Sequence, residues 1–180
     1  MSRKIAELIN EGLLHRDLHS GNILLRSVRD SIDASLIDID FLANNEGENI
    51  DRHIIQGNLL TISPEMVVHS PSRTSDIYSL GIIALTEFFP KSVREVLGLG
   101  TESEQRNGPM NRFLSKGATD PAVKEKLRNF RTTYPEDVQT EVYGLIEFLI
   151  ATLTPAFSSR PDSSEEICQI LNDRPNISQS

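Results

Sequence analysis

The chain has 180 residues, of which 38% are hydrophobic and 6% aromatic, so it carries enough apolar material for the core of one domain. Its 26 acidic residues outnumber its 18 basic ones and give a net charge of −8. This acidic balance, without a basic block, argues against nonspecific nucleic-acid binding, which requires Lys and Arg facing phosphates. The single cysteine, Cys168, excludes an intramolecular disulfide framework and a Cys-rich zinc site.

The apolar pattern shows neither a membrane span nor an export signal. No apolar run reaches the ~18 residues that a membrane span requires. The stretch 1–14 places charged residues inside its apolar pattern and has no small-residue cleavage site, unlike a secretory signal. We therefore expect a soluble intracellular protein, most simply a cytoplasmic one, with no membrane partner.

The hydrophobic spacing predicts a mostly α chain with a small β element. A first helix covers 4–14, with Gly12 as its stop signal, and two strands at 23–25 and 36–39 are joined by a charged turn. Residues 43–57 read as a long surface loop. Four further helices are predicted: a buried one at 76–88, a short charged one at 122–130, a second core helix at 137–153, and a last one at 162–172 that starts near Asp162 or Ser163.

The stretch HRDLHSGNILL at 15–25 is the most informative part of the chain. It resembles the catalytic loop of protein kinases, whose pattern is H-R-D-x-x-x-x-N before an apolar strand. Four further motifs resemble that family and follow in its order: LIDIDFLA at 36–43 for the metal-binding D-F-G turn, GNLLTISPE at 57–65 for the segment ending in A-P-E, DIYSLG at 76–81 for the start of the central helix, and Arg160–Pro161 for the closing Arg-Pro pair.

The resemblance covers nearly the whole chain, but it extends only to the C-terminal helical lobe of a kinase. It implies a protein-kinase-like fold without the N-lobe, in which residues 1–172 form a partial kinase domain and 173–180 a frayed tail. No G-x-G-x-x-G phosphate loop occurs in the sequence, and the strand lysine of the N-lobe has no counterpart. Because ATP is held between both lobes, we expect the chain alone to be inactive or weakly active.

The resemblance implies catalytic roles for Asp17 and His19. Asp17 is the candidate base that accepts the proton of a substrate hydroxyl; the alternative is a loop carboxylate that caps a turn. His19 stands where Ser/Thr kinases carry a lysine that contacts the transferred phosphate, and a neutral imidazole supplies a donor without a fixed charge. HRDLHSGN does not match the tyrosine-kinase versions of this loop, which favours Ser/Thr specificity.

The implied cofactors are Mg²⁺ and ATP, for which this lobe offers Asn22 and one of two aspartates. Asn22 supplies a neutral oxygen to a hard cation; the alternative is an Asx-turn. Asp38 follows the apolar pair 36–37, as the family's metal aspartate follows its strand. Asp40 precedes a phenylalanine as in D-F-G, but Leu42 then replaces the glycine. Alternation along an extended strand would put both aspartates on one side, and we favour Asp38.

Five further residues have structural roles in the family that this sequence resembles. The resemblance implies that His15 is a hydrogen-bonded core residue and that Asp76 anchors the catalytic loop from the central helix. Glu65 and Arg160 would form a buried ion pair, the alternative being surface charges without partners. Arg16 receives a phosphorylated residue of the activation segment in the family.

The stretch 41–56 contains no Ser, Thr or Tyr. We therefore expect no activation by phosphorylation in this stretch, and we expect one of its acidic residues, Glu46, Glu48 or Asp51, to pair with Arg16 instead.

Two functions from different classes follow. The first is a protein kinase that transfers the γ-phosphate of ATP to a Ser/Thr hydroxyl of a protein substrate, present here as a C-lobe fragment. The alternative is a non-catalytic, pseudokinase-like module that binds other proteins. In both cases the N-lobe or another protein partner would cover the apolar face that the missing lobe leaves exposed. A small-molecule kinase of the aminoglycoside or choline type shares the Asp–Asn loop but not the SPE, DIYSLG and Arg-Pro motifs.

Overall fold

The computed structural model describes residues 3–29, 31–40, 42–44, 57–67, 72–96 and 119–172. In these ranges the chain is mostly helical, with two small antiparallel sheets. The helices are α1 (Arg3–Glu11), α2 (Pro64–Val67), α3 (Ser75–Phe88), α4 (Lys91–Val96), α5 (Pro121–Phe130), α6 (Gln139–Thr152) and α7 (Ser164–Asn172). The strands are β1 (Leu13–Leu14), β2 (Ile23–Val28), β3 (Ser31–Leu36) and β4 (Ala43–Asn44). None of the helices in these ranges has the length and apolarity that crossing a membrane requires.

The prediction of a mostly helical chain with a small β element is confirmed, and the long helices lie close to where the spacing placed them. Gly12 follows the end of α1 with a φ of 68°, a conformation that glycine adopts without strain. The side chain of Asp120 caps α5 by accepting the N–H of Ala122 at 2.8 Å. The hydroxyl of Ser163 accepts the N–H of Glu166 at 3.2 Å and caps α7. The short helices α2 and α4 were not predicted.

The predicted bounds of the two strands are wrong. β2 and β3 pair antiparallel along their whole lengths, so most of the stretch predicted as a charged turn is strand. Two of its charged side chains, Arg26 and Asp33, are exposed and lie opposite each other on the two-stranded ribbon, with 3.6 Å between nitrogen and oxygen. The predicted strand at 36–39 does not form, because β3 ends at Leu36 and Asp38 has a φ of 59°.

The predicted surface loop at 43–57 begins with a short strand, since β4 pairs antiparallel with β1. The remainder of that loop, residues 45–56, lies outside the described residues. The same is true of the tail at 173–180 that was predicted to fray.

The hydrophobic core is built around α3 and α6. Ile77 and Leu85 of α3 and Ile146 and Leu149 of α6 are fully buried. Helix α3 is buried on nearly all sides over most of its length, as its pattern predicted. Helices α5 and α7 pack against α6 and extend the core. This arrangement places the N-terminus of α3 beside the loop that precedes β2, where the predicted catalytic residues lie.

Two helical glycines allow the core helices to approach one another closely. A Cβ added to Gly81 would lie 2.3 Å from the hydroxyl oxygen of Thr152, where α3 meets the end of α6. A Cβ added to Gly144 would lie 2.3 Å from the carbonyl oxygen of Leu171, where α6 meets α7. The second contact involves backbone, which cannot move aside without displacing α7.

We expect Gly144→Ala to lower the free energy of unfolding by about 1–3 kcal/mol, because the added methyl group overpacks the α6–α7 contact. Urea unfolding followed by circular dichroism measures the change. The control is Glu141→Ala on the exposed side of the same helix, which should stay within about 0.5 kcal/mol of the unaltered chain. A Gly144→Ala chain as stable as this control would show that the two helices do not touch here.

Candidate functional site

Asp17 and Asn22 lie in the loop at 15–22, and a hydrogen bond holds them together. The side-chain amide of Asn22 donates to the backbone carbonyl of Asp17 at 2.9 Å, and its backbone N–H donates to the carbonyl of His19 at 3.0 Å. Asn22 is only 6% exposed. Because its amide nitrogen is committed to the loop, its side-chain oxygen is the atom that remains for a ligand.

The ring of His19 is held beside Asp17 in one tautomer. Its Nδ1 accepts the N–H of Gly21 at 3.1 Å, so in the neutral ring the proton is on Nε2. That nitrogen lies 3.9 Å from the carboxylate of Asp17, which is beyond hydrogen-bond distance. A Cβ on Gly21 would lie 2.9 Å from the ring, so the glycine leaves room for this placement. The predicted catalytic pair is therefore adjacent but not hydrogen-bonded.

Asp76, at the start of α3, anchors the loop through its backbone. Its carboxylate accepts the N–H groups of both His15 and Arg16, the latter at 3.1 Å. Arg16 has a φ of 65°, a left-handed conformation that a non-glycine residue adopts at a cost, and the two hydrogen bonds offset it. Burial raises the pKa of Asp76, and the two N–H donors and the charge of Arg16 only partly offset this. Burial likewise lowers the pKa of Arg16, with the charge of Asp76 opposing it.

His15 connects the loop to the segment that follows β3. Its side chain is buried, and its Nε2 donates to the carbonyl of Ile37 at 3.0 Å. Its Nδ1 has no hydrogen-bond partner among the described residues. The N–H of Ile37 in turn donates to the carbonyl of Asn22 at 3.1 Å. These two bonds hold the backbone of Ile37 against the loop.

The two candidate metal aspartates are placed differently from the prediction. Both are exposed, and the expectation that they share one side of an extended strand is wrong because β3 has already ended. Ile37 is hydrogen-bonded to the backbone of Asn22. Asp38 is the residue next to this contact, whereas Asp40 is three residues away from it. No cluster of three or more His, Cys, Asp or Glu side chains occurs in the described ranges. A cation held by the side-chain oxygen of Asn22 and the carboxylate of Asp38 would have two protein ligands and would keep most of its waters.

Glu65 and Arg160 form a buried, bidentate ion pair. The two nitrogen–oxygen distances are 2.6 and 2.9 Å. The hydroxyl groups of Ser72 and Ser75 also donate to Glu65, at 3.1 and 2.8 Å. The remaining guanidinium donors reach backbone carbonyls, the shortest at Thr154 with 2.8 Å. The pair expected from the sequence is therefore present, and its polar atoms are well satisfied.

The electrostatics of this pair follow from its burial. Burial by itself raises the pKa of Glu65, but the hydrogen bonds and charge of Arg160 and the bond from Ser75 outweigh it, so the pKa lies below its ordinary value. The guanidinium of Arg160 lies 4.8 Å from the centre of the Tyr78 ring and makes a cation–π contact. Burial also raises the pKa of Tyr78, which keeps its phenol neutral.

The segment at 57–67 is fastened to both the loop and α3 by residues that the sequence did not identify. Gly57 has a φ of 109°, and a Cβ there would lie 2.3 Å from the carbonyl oxygen of Arg16. The hydroxyl of Ser79 donates to the carbonyl of Thr61 at 2.8 Å. A glycine at the start of the segment that ends in SPE was a usable signal for close backbone approach, whereas nothing in the sequence singled out the bond from Ser79 to Thr61. The acidic partners expected for Arg16 lie outside the described residues.

Comparison with known proteins supports a kinase-like similarity and nothing finer. No protein-family model matches the chain. It is 37% identical over 76 residues to "CDPK-related kinase 3" of Arabidopsis thaliana. The matched region covers 41% of this chain and 12% of that protein, so the chain spans a small part of its relative.

We expect Glu65→Gln to lower the free energy of unfolding by about 3–5 kcal/mol at neutral pH, because it leaves the buried Arg160 charge unpaired. The lowered pKa of Glu65 means that its contribution is present above the ordinary value of 4.5 and is lost as the pH falls through the lowered value. The difference between the two chains should therefore shrink in acid. Urea unfolding at a series of pH values measures it.

The chain offers a matched control for this prediction. Arg128 and Glu147 form a second bidentate pair with the same distances, 2.6 and 2.9 Å, but Arg128 is exposed. Glu147→Gln should therefore cost about 1 kcal/mol or less. Equal losses in the two variants, or a Glu65→Gln loss that persists unchanged in acid, would contradict the assigned role of burial.

We expect replacement of serine by alanine to have opposite effects on stability at two buried positions. The hydroxyl of Ser63 has no hydrogen-bond partner among the described residues, so Ser63→Ala should be neutral or stabilise the chain by about 1 kcal/mol. Ser79→Ala removes the bond to Thr61 and should destabilise it by about 1–3 kcal/mol. Thermal unfolding of both variants tests this. A clear loss of stability in Ser63→Ala would reveal a partner for its hydroxyl.

Proposed function

We propose that this chain is the C-terminal lobe of a protein kinase domain and that, in a complete domain, it acts in the transfer of the ATP γ-phosphate to a Ser/Thr hydroxyl of a protein. The observation that carries the proposal is the loop at 15–22. There, Asp17 and Asn22 are joined by one hydrogen bond, and Asp76 holds the loop backbone from α3. Phosphoryl transfer depends mainly on positioning and charge neutralisation, and a backbone-anchored loop supplies the positioning.

In this proposal each polar residue of the loop has a distinct task. Asp17 accepts the proton of the substrate hydroxyl. The side-chain oxygen of Asn22 and the carboxylate of Asp38 hold the magnesium ion, which neutralises phosphate charge when it is bound. His19 donates a hydrogen bond toward the phosphate from Nε2, the nitrogen that faces Asp17. Asp76 is a positioning residue because it acts through the loop backbone.

The second candidate function is a non-catalytic, pseudokinase-like module that binds proteins. It is favoured by the exposed, left-handed position of Asp38 and by Ile39 and Asp40, which stand in the places of Phe and Gly when Asp38 is the aspartate of D-F-G. The two functions differ in one respect that is accessible to experiment, namely whether Asn22 and Asp38 act together on a divalent cation.

A manganese titration followed by NMR on the full chain distinguishes the two functions. The kinase proposal expects millimolar Mn²⁺ to broaden amide signals selectively at 17–22 and 37–40, with the effect lost in Asp38→Asn. Asp40→Asn is the matched control and should retain the broadening, because Asp40 is farther along the chain from Asn22. With Mg·ATP and a Ser/Thr peptide, the chain alone should transfer no phosphate above the level of Asp17→Asn.

Broadening that is equally weak in the unaltered chain and in Asp38→Asn would favour the non-catalytic module. Broadening that is lost in Asp40→Asn and kept in Asp38→Asn would reassign the aspartate ligand. Phosphate transfer that depends on Asp17 would show that the chain is an enzyme without an N-lobe.

A further inference from the structure

An open apolar groove of about 590 Å³ lies between the β2–β3 hairpin and helices α3, α6 and α7. Each of these elements contributes apolar side chains, among them Leu25 from the hairpin, Ile83 from α3, Leu145 from α6 and Leu171 from α7. The volume lies within the range of roughly 300–1,000 Å³ that is typical of ligand sites. The groove is therefore large enough to receive several apolar groups at once.

Two apolar side chains that line the groove form an exposed rim at its edge, and a third exposed one lies on the neighbouring strand. Leu25 is 69% exposed and Phe88 is 64% exposed. Ile32 is 73% exposed and shares a face of β3 with Ala34, the residue paired with Leu25 across the hairpin. Surface apolar residues scattered singly are ordinary, but a groove with an apolar rim is typical of an interaction site. A small ligand seated in the groove would leave this rim exposed.

An amphipathic helix is large enough to fill the groove and cover its rim at the same time. The apolar stripe of an amphipathic helix presents side chains at i, i+3, i+4 and i+7, which span about 10 Å along the helix axis. Such a row can fill the groove while its neighbours cover Leu25 and Phe88. The extent of the exposed apolar surface therefore favours a helix over a small molecule.

The charge of the groove indicates which kind of helix would bind. Glu87, which is exposed, is the charged residue among the described residues that line it. The chain as a whole has a net charge of −8. A second copy would bring the same negative charge and a second Glu87, whereas a basic helix would bring the complementary charge.

We propose that the groove binds a basic amphipathic helix of another protein, with its apolar side chains in the groove and a Lys or Arg facing Glu87. This proposal does not depend on phosphate transfer, because neither Asp17 nor Asn22 lines the groove.

The test uses the full 180-residue chain and two fluorescent peptides of Leu and Lys. Each peptide is about 18 residues long, beyond the roughly 12–15 residues that an isolated helix requires. In the first peptide the leucines share one helical face, and in the second the same residues are distributed around the helix. Fluorescence anisotropy should show saturable one-to-one binding of the first peptide, at least about tenfold tighter than that of the second.

Two pairs of variants localise the binding. Leu25→Ser should weaken it about tenfold, whereas Leu59→Ser, which changes a leucine that is 52% exposed outside the groove, should not. Glu87→Gln should weaken binding about threefold and reduce its dependence on salt, whereas Glu125→Gln on the exposed side of α5 should do neither. Circular dichroism verifies that each variant is folded before it is compared.

Three outcomes would overturn the proposal. The first is equal affinity for the two peptides, or equal effects of the two leucine variants. The second is a concentration-dependent dimer in sedimentation that Leu25→Ser abolishes, since a second copy would then occupy the groove. The third is a small apolar dye that binds in a Leu25-dependent manner while the amphipathic peptide does not bind.

Discussion

The buried ion pair between Glu65 and Arg160 joins residues that lie 95 positions apart, and the rest of the site depends on it. Charges in an apolar interior are stable only when they are paired and their remaining donors and acceptors are satisfied. Here Ser72 and Ser75 donate further hydrogen bonds to the carboxylate of Glu65, and backbone carbonyls accept the remaining N–H groups of the Arg160 guanidinium. Because each of these hydrogen bonds must be made, the segments that supply the partners are held in fixed positions. One of these segments is the first turn of α3.

The first turn of α3 in turn determines the geometry of the 15–22 loop. Ser75 bonds to Glu65, and the next residue, Asp76, accepts two backbone N–H groups from the loop. Those bonds stabilise the left-handed backbone at Arg16. The backbone of Gly57 packs closely against the carbonyl group of Arg16. The positions of Asp17 and Asn22 are thus set by a series of contacts that runs from the ion pair through α3. Few of these contacts involve the side chains that would perform the chemistry.

The groove beside the hairpin is chemically unlike the loop. The loop presents carboxylate, amide and imidazole groups on an anchored backbone, whereas the groove is apolar with Glu87 as its acidic group. The two surfaces meet at Ser20 and both involve α3, but the groove is also formed by β2, β3, α6 and α7, and neither Asp17 nor Asn22 lines it. A helix-binding groove is compatible with both proposed functions, since a catalytic lobe and a non-catalytic module can each recruit a protein through it.

Local signals in the sequence predicted the five longer helices, the start of α7 near Ser163, and most of the residues of the candidate site. Periodicity reports which side of an element is buried, and capping depends on residues within one turn, so both can be inferred without the fold. The hairpin bounds could not be inferred in this way, because Arg26 and Asp33 suit either a turn or an exposed ribbon.

Tertiary structure alone decided three features: the left-handed backbone at Asp38, the close approach of Gly57 to Arg16, and the serine hydroxyls that complete Glu65. Each depends on atoms that are distant in sequence and meet only when the chain is folded. The sequence by itself therefore determined which residues are the candidates for chemistry, and packing determined where they lie relative to one another. The physical reason is that hydrogen bonds and steric contacts act through space, whereas sequence patterns record only which residues are suited to burial, turns or charge.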